Sequence, residues 1–409
     1  MRQRAMNAAT VPRSRLAQLA EGIPRPFWAL LVGTFITKAG SFVMPLLFVY
    51  LTQVRGIELP IAGAITSLYG AGSLLGSLAG GIMADRYGRK FTMLVSLLVG
   101  AAFLALLGLS RELSAIALST LLLGATADAY RPASLALSAD LIAPEHRLKA
   151  FAMQYWAINF GFAVAAVVGG YMAKRNFTLL FIGDALTTLV LSIIVWRLIP
   201  ESRPKPSTDA PKPGSLLTPF VDRRFAPFLF FNFLIALVFF QHLSSMPDDM
   251  KAKGLSTEDF GWAVASNGLL IVLLQPIVTR LAAGLRQSSV LAAAALLTGL
   301  GFGLYVFAHS LPAFVGCVAV WTLGELLFAP VNSTIVAQLS PLHLRGRYQG
   351  AFVLTWSTAA MAAPLLGASL IPKIGHELIW VGCFGVGVLV TIGHLVISAR
   401  SLPRHATSE

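Results

Sequence analysis

Twelve times in 409 residues the sequence runs through a long, mostly apolar stretch before a charge, a proline or a glycine cluster interrupts it. The runs cover 27–53, 60–84, 90–109, 113–142, 151–173, 177–199, 226–246, 258–280, 288–308, 311–339, 351–372 and 377–399. Crossing a hydrocarbon layer takes about 20 apolar residues of helix, so each run is long enough to span one. A bilayer offers the backbone no water, and a spanning run must therefore close its own hydrogen bonds as a helix. Composition excludes the soluble alternative: 56% of the residues are hydrophobic and 12% charged, with a mean hydropathy of +0.74, well outside the range of globular chains. Twelve helices use roughly 250 residues and leave about 160 for loops and tails, too few for a sizeable soluble domain.

Connections of a few residues, such as Asp85 to Arg89 and Pro144 to Lys149, force consecutive helices to run antiparallel. One connection differs. Residues 200–225 carry Pro200, Pro204, Pro206, Pro211, Pro213 and Pro219 among several charges, which reads as an extended linker. It divides the chain into an N-terminal tail (1–26), a six-helix half (27–199), the linker (200–225), a second six-helix half (226–399) and a C-terminal tail (400–409). The net charge of +13 comes from 31 basic against 18 acidic residues. These bases sit at helix ends rather than in a patch, so no nucleic-acid partner is expected. With the N-terminus inside, 22 Lys and Arg fall on the inner side and 7 on the outer, while Lys38 and Arg131 lie within the membrane. That bias places both termini in the cytoplasm. The first 26 residues hold five Arg but no apolar run of signal-peptide length. Cys317 and Cys383 lie in apolar runs and read as small buried hydrophobes; the scattered histidines form no metal set.

The two halves echo each other. A shift of about 197 residues sets Asp140-Leu-Ile-Ala-Pro144-Glu-His146 on Ala337-Gln-Leu-Ser-Pro341-Leu-His343 and Asp128 on Glu325, while a shift of 202 sets Met44-Pro45 on Met246-Pro247. Repeats of this kind allow one half to rock against the other around a central site.

The most specific local pattern is Gly81-Ile-Met-Ala-Asp85-Arg86-Tyr87-Gly88-Arg89-Lys90 at the inner end of the second helix. Gly76 and Gly81 leave a flat face for close helix approach, and Gly88 permits a tight reversal. Asp85 can hold Arg89 or a facing helix N-terminus through charge, whereas Arg86 and Lys90 also serve as topology charges. The segment resembles the G-x-x-x-D-R-x-G-R-K/R signature of the major facilitator superfamily, and the helix number, six-plus-six division and linker extend the resemblance over nearly the whole chain. It implies an all-α polytopic membrane protein, twelve transmembrane helices in two pseudo-symmetric six-helix halves, with helices 1, 4, 7 and 10 lining a central cavity. It also implies a cytoplasmic gate in which Asp140 is the acidic partner of the signature. Where the eighth helix ends, Pro276-Ile-Val-Thr-Arg280 keeps one base and no acid, so a second gate of equal strength is not expected.

Five ionisable residues read as buried mid-span: Lys38, Asp128, Arg131, Glu325 and, less deeply, Asp184. An Asp, Lys or Arg at the centre of a membrane helix costs about 2.5–3.5 kcal/mol, which makes each a functional candidate. Asp128 and Arg131 are three apart, share a helix face and can pair. Glu325 has no base within one turn on its own helix, and hydrocarbon disfavours a bare carboxylate, the property a proton carrier uses. Glu325 is therefore the first candidate for proton coupling and Asp128 the second, with Lys38 a counter-charge across the cavity. Gln241 and Asn267 either bond across the bundle or face the cavity, and His242 reads as an interfacial histidine. Phe230, Phe231, Phe233, Phe239 and Phe240 crowd the seventh helix as cavity wall or lipid-facing bulk.

The Asp128-Ala-Tyr-Arg131-Pro132 segment, Gly183-Asp184-Ala185, Gly324-Glu325 and Arg345-Gly346-Arg347-Tyr348 resemble the smaller bacterial exporters of the superfamily's drug/proton branch. The expected function is proton-coupled antiport, exporting small amphipathic or lipophilic compounds by alternating access. A monomer in the cell inner (plasma) membrane is expected, meeting a small-molecule substrate, protons and lipid, with no cofactor beyond the proton as coupling ion. Proton symport of a nutrient or peptide would use the same residues for inward flux. A transport-inactive sensor is disfavoured by the intact mid-membrane charges. No nucleophile–base arrangement, H-E-x-x-H pair or phosphate loop suggests an enzyme.

Overall fold

A computed structural model describes residues 22–143, 146–173, 175–202, 217–282, 284–341 and 344–398. The expected C-terminal tail, residues 1–21 of the N-terminal tail and residues 203–216 of the linker lie outside the described residues. Among those described there is helix and no strand, and eleven helices are long and apolar enough to cross a membrane. The last of them covers Arg347–Val396, 50 residues, about 75 Å if straight and more than twice a bilayer's apolar thickness. It is not straight. Gly375 interrupts it with φ 78° and ψ 167°, a backbone state that suits glycine alone. The rings of Phe228 and Phe231, one turn apart, lie 6.1 Å from Phe352 and 5.0 Å from His394 respectively. Residues 42 positions apart can meet one helical turn only if the chain reverses between them, so this segment crosses twice and the fold has twelve spans.

Numbered in chain order, span 1 runs from Arg25–Ala39 through Val43–Val49 to Tyr50–Val54, followed by span 2 (Leu59–Tyr87), span 3 (Arg89–Leu109), span 4 (Leu113–Leu141), span 5 (Arg147–Ala173) and span 6 (Phe177–Leu198). Span 7 comprises Phe225–Phe239, Phe240–Leu243 and Ser245–Ala252; spans 8, 9 and 10 are Thr257–Ala282, Gln287–Gly303 and Leu311–Leu339. Spans 11 and 12 are the two arms about Gly375. Twelve crossings return the chain to its starting face, here called the tail side.

Spans 1 and 7 break at matching points and restart at Val43 and Ser245. Each restart carries a proline, Pro45 or Pro247, in its first turn, where the missing N–H removes no helical bond. The Val43 N–H donates to the Asp184 carboxylate of span 6 at 3.2 Å. At the other break, Gln241 donates to the Ala363 carbonyl of span 11 at 3.1 Å and accepts from the Ser245 hydroxyl at 2.6 Å.

Membrane helices gain little from hydrophobicity when they associate, so close approach through small residues does more of the work. Gly72, Gly76 and Gly80 of span 2 lie against the backbone of Leu121, Ala125 and Ala129 in span 4. Gly81, expected on that face, has nothing within 4 Å of where a Cβ would stand; it is turned one residue away from the row. Two seams join the halves. Gly63 and Gly70 of span 2 meet Pro364, Ala360 and Met361 of span 11, while Gly170 and Ala166 of span 5 meet Gly261 of span 8.

The cores show how the halves are tilted. Away from the tails, Phe42, Leu46 and Val49 share one core with Met246, Phe260, Phe302, Trp321 and Trp380, and Thr257 donates to Gln53 across the halves at 3.3 Å. On the tail side, one core is built from Leu30, Met93, Leu137 and Val195 and another from Phe225, Ile335, Tyr348 and Val390. The large core shared by the two halves thus lies on the far side, while these two tail-side cores each belong to one half.

Candidate functional site

Glu325 sits halfway along span 10, half-buried between the halves. Asn267 of span 8 donates to its Oε2 at 2.8 Å and to the Thr322 hydroxyl, one turn away, at 3.0 Å. Tyr155 of span 5, in the other half, lies within electrostatic reach of this carboxylate. Phe328, one turn further along span 10, belongs to an aromatic wall in which Trp356 of span 11 meets Phe239 at 5.8 Å, Phe240 at 6.0 Å and Phe328 at 6.1 Å. Among the described residues the buried Trp356 Nε1 has no hydrogen-bond partner. His242 is buried in the same region rather than interfacial. The break in span 7 turns it inward, where its Nδ1 lies 2.6 Å from the Phe239 carbonyl and its ring 6.0 Å from Trp321.

Asp128 accepts a hydrogen bond from Ser73 of span 2, whose hydroxyl lies 3.3 Å from Ser357 of span 11. Each of the two repeat-related acids is therefore held by the span that forms a seam with the other half: Asp128 through span 2, Glu325 through span 8. The expected pair between Asp128 and Arg131 is not formed. Asp128 turns to the neighbouring span, and Arg131, exposed, makes no hydrogen bond or ion pair among the described residues.

Lys38 and Asp184 line a cavity of about 160 Å³ inside the N-terminal half, walled by spans 1, 2, 3, 4 and 6. Its lining mixes hydroxyls, among them Thr37, Tyr69 and Tyr130, with Leu47, Leu97 and Leu123. Asp184, 6% exposed, caps the span 1 restart. The Lys38 side chain has no hydrogen bond or ion pair among the described residues, though it is within electrostatic reach of Arg131, Asp184 and Asp128. Gln241 stands apart from all the acids, tying span 7 to span 11.

On the tail side the signature closes on its own half. Arg89 pairs with Asp140 and donates to the Ala136 carbonyl at 2.9 Å, and Ser202 bonds the same Asp140. Gly88 turns with φ 109°, and the Glu201 carboxylate accepts from the backbone N–H groups of Lys90 and Phe91 at 3.0 and 3.1 Å, capping the positive end of span 3. Lys90 donates to the Trp196 carbonyl at 2.8 Å, and Arg86 lies over the Tyr87 ring at 5.4 Å. The Asp85 side chain lies outside the described residues. At the corresponding helix positions of the second half, the first residue of span 9 and the last but one of span 10, Gln287 donates to Gln338 at 3.0 Å in a neutral contact.

The sequence reading missed Ser73, Ser357 and Thr322, whose residue types are too common to stand out, and Trp356, one of 7 tryptophans, which nothing in its local pattern marks. It also missed the Gln287–Gln338 contact, because the shift of 197 sets Asp140 on Ala337 rather than on Gln338.

The Major Facilitator Superfamily model matches residues 30–248 and again 228–409. The chain belongs to the Major Facilitator Superfamily. It is a multi-pass membrane transporter of that superfamily, as the signature led us to expect. Its relatives include the uncharacterised transporter YttB of Bacillus subtilis (strain 168), 29% identical over 86% of this chain and 90% of that one. A protein of Planococcus maritimus named as a Na(+), Li(+), K(+)/H(+) antiporter is 28% identical over 82% of this chain and 87% of that one. Among solved structures, a POT family transporter in complex with a thioalcohol-conjugated peptide superposes with a TM-score of 0.81, covering 94% of this chain and all of the other at 16% identity. At that identity the likeness is one of fold.

Proposed function

We propose that the chain is a proton-coupled antiporter that exports small amphipathic or lipophilic compounds by alternating access. The observation that carries this reading is Glu325: an intramembrane acid between the halves, held by one amide and one turn along its helix from Phe328, whose ring meets Trp356. A carboxyl group in such a place alternates between a protonated and a charged form as its surroundings change from dry to wet, which is what coupling to a proton gradient requires. The aromatic wall and the orphan indole N–H of Trp356 suit a flat apolar body with an acceptor. The named antiporter of Planococcus supports exchange over symport. The charge bias of the loops supports tails in the cytoplasm of an inner membrane, and with that orientation an export substrate enters from the tail side.

In the proposed cycle Glu325 takes a proton from outside, the halves rock, and substrate entering from the tail side displaces the proton inward. Purified Glu325→Gln in proteoliposomes should remain monodisperse and lose transport driven by an imposed pH gradient. Gradient-driven transport at the wild-type rate would remove Glu325 from the mechanism.

A further inference from the structure

Span 6 grips the break in span 1 on both sides. Before the break, the Thr37 hydroxyl donates to the Thr187 carbonyl at 3.2 Å; after it, the Val43 N–H donates to Oδ2 of Asp184 at 3.2 Å. Gly40, between them, lies against the Thr187 side chain. This clamp fixes where Lys38, in the last turn before the break, stands relative to Asp184. Both residues line the cavity of about 160 Å³ in the N-terminal half, and no ion pair joins them among the described residues. A cation and an anion thus face one enclosed space without closing on each other. Each is an expensive group at that depth. The Lys38 amine has three donors to offer, and one bond from Val43 leaves the Asp184 carboxylate with acceptor capacity. Asp128 and Arg131 are not in the cavity wall. Leu97, Leu104 and Leu123 make part of that wall apolar, and Ala127, exposed, keeps it from being sealed.

We propose that this cavity binds an aliphatic α-amino acid as its zwitterion, with the ligand's ammonium on Asp184 and its carboxylate on Lys38. Such a ligand makes charge-assisted hydrogen bonds at both ends and brings no net charge into the membrane. A ligand with one charge satisfies one side chain and leaves the other buried charge unpaired. A cavity of about 150 Å³ holds a benzene ring, so the apolar part is compact, and the leucines receive it. The binding site stands apart from the transport reading above; only the ligand's role as cargo rests on that reading. The amino acid sits in the N-terminal half, away from Glu325 in the C-terminal half, so that substrate and proton have separate sites.

Three probes with one carbon skeleton separate the alternatives: leucine, 4-methylpentanoate, which lacks the amine, and 3-methylbutylamine, which lacks the carboxylate. Each is titrated against the purified full chain in detergent, with melting temperature and equilibrium affinity as readouts. Leucine should bind and stabilise, and each singly charged probe should bind about tenfold more weakly or worse, the effect of one lost charge-assisted contact. Lys38→Met should bring leucine down by a similar factor and leave 3-methylbutylamine no weaker than in wild type. Asp184→Asn, which keeps an oxygen for the Val43 N–H, should weaken leucine and spare 4-methylpentanoate. Should Asp184→Asn fail to fold, Lys38→Met still decides, because that side chain has no bond among the described residues to lose. Leucine binding no tighter than either singly charged probe, or a wild-type leucine affinity in Lys38→Met, would each overturn the proposal. Leucine binding without any gradient-driven leucine transport by the wild-type protein would uphold the site and count against the antiport reading.

Discussion

At the residue scale, environment decides what a charged side chain does more than its own type does. Asp222, just outside span 7, accepts from the Tyr348 hydroxyl at 2.6 Å and the Arg224 N–H at 2.8 Å. Burial pushes its carboxyl upward, but these bonds outweigh that and hold it below the usual carboxylate range. A carboxyl depressed on folding stabilises above its unfolded value, near 3.9, and loses that contribution as pH falls through the lower folded one. Tyr348→Phe should remove about 1.5 kcal/mol. Its melting temperature in detergent should fall short of wild type by the same margin at neutral pH and at about pH 5, the gap narrowing only below about pH 4; a gap that closes already at about pH 6 would mean that another group is responsible. Glu325, Asp128 and Lys38 were legible as candidates because hydrocarbon makes any charge conspicuous. The Asp128–Arg131 pair was not, because spacing along one helix gives no weight to a hydroxyl on the next, and Ser73 is where Asp128 turns.

At the element scale, the span boundaries were readable to within a few residues, since apolar length is what a bilayer selects. The facing of each span was not. A helix that is apolar all round gives no period to read, and so Gly76 and Gly81 were assigned to one face when only Gly76 touches the backbone of span 4. A methyl at Gly76 would meet the Ala125 carbonyl, whereas one at Gly81 would meet nothing. Gly76→Ala should cost roughly 1–3 kcal/mol and lower both yield and melting temperature. Gly81→Ala should stay within about 0.5 kcal/mol of wild type; similar losses from both would refute the packing described for spans 2 and 4. The breaks in spans 1 and 7 were present in the sequence as the repeated Met-Pro pair, but a proline in a run this apolar does not say whether it bends a helix or restarts one. The hydrogen bond that the Val43 N–H donates to Asp184 of span 6, and the one that Gln241 donates to span 11, settle it as a restart.

At the scale of the whole molecule, two repeats and a hinge were foreseeable, but the closed side was not, since both states use the same residues. The shared far-side core makes a direct prediction. Cysteines replacing Gln53 and Thr257, whose side chains meet at 3.3 Å, should be bridged by a short bis-methanethiosulfonate in the purified protein, and transport should stop until the bridge is reduced. Native Cys317 and Cys383 are both buried and should not compete for the reagent. Continued transport with the bridge intact would show that the far side need not open.

The tail-side ends of the two repeats differ in a way that reaches beyond their geometry. Arg89 and Asp140 face each other as ions at a place where Gln287 and Gln338 meet as neutral amides, and Asp140 is 38% exposed to its surroundings. Dissolved salt screens such a pair and scarcely touches an amide contact. Raising the ionic strength, or crowding anionic headgroups around the first repeat, therefore loosens one lobe while its twin holds firm, and a machine assembled from duplicate parts acquires a preferred side from which to yield.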